Sequence, residues 1–290
     1  MHGLTAVRQE TAASAAVFGL PGFHFRLVSE DWELEDRFRL VFGELEGEAG
    51  LASNPHVYEV VCPSDATRTV LFDGEPIVEV VPLSSAFAFL EWHVTRHCLQ
   101  HTDDGIALHA GAVERDGRAI LLSGSSGSGK TTIALSLLSR GAHYLSDEAV
   151  FVSSDGRVRG LPRALALKAG RSHWIDLPFG GHRDATTHCE ADGTTYVAPR
   201  ALGFEVVGRR VEPGAVVLLQ RTETEAGLSR LTAGEAFLPL LQQVFSNEPH
   251  EDILATVSSL LRRAPVYRLS GSDIVETTSL VEGLFETPTL

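Results

Sequence analysis

Apolar and polar positions along this chain switch between two periods, and the switches outline its elements. From Phe23 to Val28 every second residue is apolar, and Phe38–Phe42 alternates as well. Tyr58–Val61, Thr69–Phe72 and Ile77–Val81 are short apolar runs separated by turn signals such as Asp73 and Gly74. This patterning predicts strands for all five. After Pro82 the period lengthens, and Phe87, Leu90, Val94 and Leu99 mark a predicted amphipathic helix running to about Gln100. His93, His97 and His101 share one face of it. With no carboxylate or cysteine among them, they read as a solvated face rather than a zinc site. His101–Gly105 breaks the pattern and divides the chain into a small β-rich unit ending in a helix, residues 1–104, and a larger unit, residues 105–290. Thr11–Leu20 is too short and polar-interrupted for a signal-peptide core and reads as a loose N-terminal tail.

In the larger unit, Ile106–Val113 predicts a strand, and Asp116 and Gly117 a hairpin onto the apolar run Ala119–Ser123. Thr132–Arg140 has the apolar period of a helix, stopped by Gly141. Ala142–Ser146 is the next predicted strand and leads straight into Asp147 and Glu148; Val150–Val152 and Val158 flank a turn at Asp155 and Gly156. Leu161–Lys168 alternates. Residues 178–195 are polar, glycine-bearing and without period, which predicts a long loop. With Arg171 and Arg183 near it, such a loop is expected to act as a lid that closes on substrate and excludes water. Gly214–Arg221 reads as a buried strand. Thr232 and Glu235 have capping-box spacing at the start of a helix through about Phe245. Ile253, Val257, Leu260 and Leu261 mark another helix, Val266–Leu269 a last strand, and Asp273 opens a closing helix with Val281, Leu284 and Phe285. Strands alternating with helices predict an α/β class for residues 105–290.

Composition changes this picture in three respects. A formal net charge of −14 speaks against a nucleic-acid partner, because neutralising phosphates needs a basic face. No apolar run has the length of a membrane span. Cys62, Cys98 and Cys189 are scattered, odd in number and free of ligand spacing, as expected of reduced thiols in a cytoplasmic protein. His182, His188 and Cys189 likewise read as scattered surface residues. Among 24 basic residues only Lys130 and Lys168 are lysines. In a chain that otherwise uses arginine, a lysine marks a place where a compact ammonium is wanted.

Lys130 stands in the pattern Gly124-x-x-x-x-Gly129-Lys130-Thr131, between a predicted strand and a predicted helix, which is the context a phosphate-binding loop requires. The backbone of Gly124, Ser125, Ser126, Gly127, Ser128 and Gly129 would turn N–H groups inward to cradle phosphate at the positive end of the helix, with Thr132 in its first turn. Lys130 would reach the β- and γ-phosphates, and the Thr131 hydroxyl would ligate Mg²⁺. Asp147 and Glu148 fall at the carboxyl end of a neighbouring strand, where open α/β sheets bind ligands. A carboxylate there suits a Mg²⁺ ligand or a base for an attacking hydroxyl. His109 lies on the strand paired with the loop strand and by its surroundings alone reads as a core histidine. Lys168, with Arg163 or Arg200, is a candidate to share the charge of a transferred phosphoryl group.

Leu108–Val113, the Gly124–Thr131 loop, Ser139–Gly141 and Leu145–Glu148, in that order, resemble the HPr kinase/phosphorylase superfamily. The nearer likeness is to the HPr-kinase-related P-loop kinases of bacterial peptide-tailoring clusters, lasso-peptide clusters included. It covers residues 105–170 most strongly. Those proteins typically carry two aspartates where this chain has Asp147 and Glu148. The glycine-rich signature of true HPr kinases has no good counterpart here, so HPr itself and the reverse reaction are not implied. The resemblance implies a PEP-carboxykinase-like P-loop core, ATP and Mg²⁺ as cofactors, and His109 and Asp147 as catalytic residues. It also implies phosphoryl transfer to a hydroxyl, foremost a serine of a peptide or protein. A small-molecule kinase shares every motif. The reading from another class is a nucleotide-dependent switch acting through a binding partner, against which His109 argues. The acceptor and the oligomeric state, a homo-oligomer included, carry no motif.

Overall fold

The structure is a computed structural model that describes residues 16–47, 54–168, 188–191, 193–220, 222, 225–245 and 250–286. Its N-terminal sheet holds β1 (Val17–Leu20), β2 (Phe23–Ser29), β3 (His56–Ser64), β4 (Thr67–Phe72) and β5 (Glu75–Val81), side by side in that order. Strands β2 and β3 are parallel and the other pairs antiparallel. A parallel pair needs a crossover, and α1 (Trp32–Phe42) lies within it.

Phe38–Phe42, expected as a strand, is therefore the second half of a helix. Asp31 caps it, accepting hydrogen bonds from the amides of Glu33 and Leu34 at 2.9 and 3.1 Å. Leu34, Phe38, Val41 and Phe42 bury one helical face. Val17–Leu20 is also a correction, since it pairs with β2 instead of trailing as a tail. Residues 11–15 of that expectation lie outside the described residues.

Helix α2 (Leu83–His101) packs on this sheet, burying Phe87, Leu90, Val94 and Cys98. The expectation of a solvated histidine face holds for exposed His101 and fails for His93 and His97. His93 and His97 stack with ring centres 4.4 Å apart, and His97 lies 5.5 Å from Phe23 and 4.9 Å from Phe72. His93 Nδ1 is 2.9 Å from the Tyr58 hydroxyl. An imidazole has an apolar face as well as a polar edge, and the aromatic residues of β2–β4 take up the faces. Among the described residues, no group of three or more His, Cys, Asp or Glu is placed to hold a metal ion.

Next along the chain come β6 (Ile106–Arg115), β7 (Arg118–Ser123), α3 (Lys130–Leu138), β8 (His143–Ser146), β9 (Ala149–Val152) and β10 (Val158–Gly160). A small antiparallel sheet follows, made of β11 (Leu165–Lys168), β12 (His188–Ala191) and β13 (Thr194–Val197). The chain then adds β14 (Glu212–Gln220), β15 (Gly227–Leu231), α4 (Ala233–Leu241), α5 (His250–Arg263), β16 (Val266–Ser270) and α6 (Ile274–Glu282). The larger sheet has the order β10-β9-β6-β7-β14-β16-β15, with β8 also on β6. Strand β7 is antiparallel to β6 and parallel to β14, which is parallel to β16. The whole is a mixed α/β fold with several sheets, and no described helix is long and apolar enough to cross a membrane.

Several local expectations meet their elements. Asp116 and Gly117 take positive φ in the β6–β7 hairpin. Thr232 and Glu235 form both halves of a capping box at the start of α4. Two others need correction. The end of the stretch expected as a loop is the β12–β13 hairpin, while residues 169–187 and 192, with Arg171, His182 and Arg183, lie outside the described residues. Helix α4 stops at Leu241, and the chain turns back along β6: His109 N–H donates to the Gln243 carbonyl at 2.7 Å, and Phe245 N–H to the Ala107 carbonyl at 2.8 Å.

Strands β6 and β9 are buried on both faces, and their alternation feeds two cores. Ala107, Ala149 and Phe151 join Phe25, Phe38 and Phe87 in the core of the N-terminal sheet. Leu108, Val150 and Val152 join Val216, Leu240, Val257 and Leu260 in another. A third core lies between α3 and the sheet, where Ile133 and Leu137 meet Leu122, Val217 and Leu269. Gly160 marks a tight crossing, since a Cβ there would stand 2.1 Å from the Leu145 carbonyl oxygen.

Candidate active site

Strand β7 ends at Ser123, and the chain bends through six residues before α3 begins at Lys130. The bend depends on Gly127 and Gly129, whose φ of 83° and 105° side-chain-bearing residues rarely adopt. Gly129 caps α3, whose first turn is the positive end of the helix, the end that favours an anion. The Lys130 ammonium is buried and donates to the carbonyls of Gly124 at 2.7 Å and Ser125 at 3.3 Å.

Ser126, Gly127, Gly129, Lys130, Thr131 and Thr132 form one wall of a cavity of about 350 Å³, within the range of small-ligand sites. His109 of β6 and the acidic pair Asp147–Glu148 form a second wall. Ala166 and Leu167 of β11, with Thr194 and Tyr196 of β13, form a third. The last four come from the small sheet and were not singled out in the sequence. Their apolar alternation was visible around Leu165, but the pairing of Leu165–Lys168 with Thr194–Val197 joins segments far apart in the chain.

The two acids differ in setting. Asp147 is 4% exposed. The Ala166 N–H donates to its Oδ2 at 2.9 Å, and the Tyr144 hydroxyl lies 3.3 Å from its Oδ1 and 3.0 Å from the Arg163 carbonyl. Burial is the main cause that pushes Asp147 up to about 6, with Glu148 adding repulsion, while the Arg163 charge and the Ala166 N–H oppose the rise. Glu148 is about a third exposed and spans two partners: Oε1 lies 3.7 Å from His109 Nδ1, and Oε2 lies 3.5 Å from an Arg163 nitrogen. Ser146 fixes this corner, its Oγ accepting from the Glu148 and Ala149 amides at 3.3 and 3.1 Å. The His109 ring stands edge-on to Phe245 at 5.2 Å.

Other candidates lie elsewhere. Arg163 is buried beside the acids and does not line the cavity; its guanidinium pairs with Glu91 of α2. Burial works against its charge, and the carboxylates of Glu91, Asp147 and Glu148 hold it protonated. Arg200 is exposed and donates to Glu44 at 2.7 Å, apart from the cavity. Lys168 ends β11 opposite Thr194, a cavity residue, and its side chain is outside the described structure.

The donor set suits a hard cation held together with phosphates. Thr131, Asp147 and Glu148 offer hydroxyl and carboxylate oxygens on one cavity, and Mg²⁺ is usually bound through one or two carboxylates plus substrate phosphate oxygens. Lys130 and the first turn of α3 could supply the positive side for such phosphates.

No family model matches the sequence, and no curated protein does. One solved structure, the Hpr(Ser) kinase/phosphatase from Coxiella burnetii, is similar to this chain with a TM-score of 0.34 and 13% identity, over 62% of this chain and 88% of that one. At that score the two chains share too little geometry for any residue-by-residue correspondence.

Proposed function

We propose that this protein is an ATP-dependent phosphotransferase that passes the γ-phosphoryl group to a hydroxyl, foremost a serine of a peptide or protein. The observation that carries the reading is the convergence of Lys130, Thr131, His109, Asp147 and Glu148 on one cavity. A lysine, a helix N-terminus and two carboxylates line the same cavity, the set of groups a metal-bound polyphosphate would need. The serine acceptor rests on the resemblance of residues 105–170 to the HPr kinase superfamily.

In this reading the backbone of residues 124–131 and the Lys130 ammonium bind the phosphates and hold them in line for attack. Thr131 and Glu148 would hold Mg²⁺, which would neutralise charge on the phosphates. Asp147 accepts the acceptor's proton: Tyr144 and the Ala166 amide orient its carboxylate, and a pKa near 6 suits a base at neutral pH. His109 orients Glu148. Buried Arg163 steadies the acids from behind.

Incubation with γ-labelled ATP and a pool of peptides, proteins and small hydroxyl compounds tests the reading. Label is expected on a serine hydroxyl, and Lys130→Ala is expected to abolish transfer while the protein melts as before. Wild-type turnover by Lys130→Ala, or failure of the native protein to bind ATP, would overturn the proposal.

A further inference from the structure

Among the buried charges to which the mechanism above gives no task, Glu91 lies nearest the acidic pair through a shared partner. Glu91 lies in the middle of α2, 9% exposed, on a helix whose other buried positions are mostly apolar. Carboxylates are almost never buried unless paired. Glu91 is paired with the Arg163 guanidinium, and its Oε1 also accepts from Thr95 Oγ1 at 3.2 Å. The Tyr196 hydroxyl, which belongs to a cavity residue, bonds the same carboxylate. Arg163 then reaches Glu148 at 3.5 Å and acts through its charge on Asp147. A helix of the N-terminal unit thus supplies the outer end of a chain of charges whose inner end lies in the cavity.

We propose that Glu91 is a positioning residue of the candidate site. By occupying one end of the Arg163 fork, it leaves the charge of Asp147 and Glu148 to a divalent cation bound with the nucleotide. The inference rests on the phosphotransferase reading. Its physical basis is a charge count. Arg163 between three carboxylates is shared; facing only the cavity pair, it would cancel one of their two charges. Guanidinium presents its donors as a rigid fork, so the end released by Glu91 is free to close on Glu148 as a bidentate pair.

The test is Mn²⁺ binding by the full chain in the presence of ADP, read from the electron-spin signal of free Mn²⁺, with thermal melts alongside. Glu91→Gln should bind Mn²⁺ about tenfold more weakly than wild type. Glu91→Gln combined with Arg163→Met should return to wild-type affinity or better, because the unbalanced cation is gone. A Glu91→Gln protein that melts as wild type and binds Mn²⁺ equally well overturns the proposal. A double variant as weak as the single one does so too, since the loss is then one of packing. Should Glu91→Gln fail to fold, Glu91→Asp keeps the charge with a shorter reach and is expected to bind about threefold more weakly; unchanged affinity there refutes the role. Wild type that binds no Mn²⁺ with ADP removes the phosphotransferase reading and this one together. That result is distinct from wild-type binding that is indifferent to residue 91.

Discussion

His97→Phe should make the protein less sensitive to acid. In the native fold the His97 ring lies against Phe23 and Phe72, with His93 and His101 on the same helix and His56 on β3. Burial, and then the neighbouring charges of His93, His101, His56 and Arg96, hold its pKa down from 6.5 to about 4. His56 itself bonds Asp73 at 2.7 Å. Above pH 6.5 the ring is neutral folded or unfolded and contributes nothing to the pH dependence. Between 6.5 and 4 the unfolded chain takes up a proton that the folded chain refuses, so stability falls as pH falls. Below 4 both states are protonated and the loss is complete. At 1.36 kcal/mol per pH unit the unscreened ceiling is about 3 kcal/mol. Solvent reaches part of the ring, and screening reduces the expected loss to about 1–2 kcal/mol, or roughly 3 °C in Tm. Phenylalanine keeps a ring in the stack without the proton. Urea and thermal melts of both proteins at several pH values from 7.5 to 4 measure the difference in slope, which cancels the carboxylates common to both. His93, held low by the same burial, is present in both proteins. Parallel pH profiles for wild type and His97→Phe would refute the reasoning.

Three further outcomes are expected. Asp147→Asn should lower kcat for phosphoryl transfer by about 10²-fold or more with little change in KM for ATP, and Glu148→Gln should be milder; the opposite ranking in steady-state kinetics would exchange their roles. With Asp147 raised to about 6 in the free protein, kcat/KM should fall as pH drops through 6, and a kcat/KM that stays level down to pH 4.5 would exclude it as the base. Gly160→Ala places a carbon 2.1 Å from the Leu145 carbonyl and should destabilise by about 2–3 kcal/mol in urea titrations, whereas a variant within about 0.5 kcal/mol of wild type would mean that β8 and β10 separate freely.

What could be read in advance follows from the range of each interaction. The bend from β7 into α3 was legible because its glycines, its lysine and both flanking elements lie within about twenty residues. The β6–β7 hairpin and the α4 cap are equally local. Phe38–Phe42 misled because five residues fit a period of two as well as 3.6; the Asp31 cap and Leu34 one turn upstream decide for the helix. The β12–β13 hairpin carries too few apolar residues for its period to stand out. At the site, Lys130, Thr131, His109 and the acidic pair share a cavity, as their order along the chain suggested. Tyr144, Tyr196 and Glu91 were invisible, since only tertiary pairing brings α2 and β13 to Arg163. That same pairing turns Arg163 away from the cavity, and Arg200 finds its partner in Glu44.

The wall formed by β6 and β9 has a consequence for dissecting the chain. Residues 101–105 look like a seam in the sequence, yet Ala107, Ala149 and Phe151 beyond it sit in one core with Phe25, Phe38 and Phe87 before it. A cut at residue 104 would therefore divide the polypeptide without dividing its interior. Each fragment, made alone, would present to water the apolar face that the other now covers, and would be prone to precipitate. Produced together, the two should recombine as a split-protein pair, with the affinity of that recombination reporting how strongly α2 and the N-terminal sheet hold the rest.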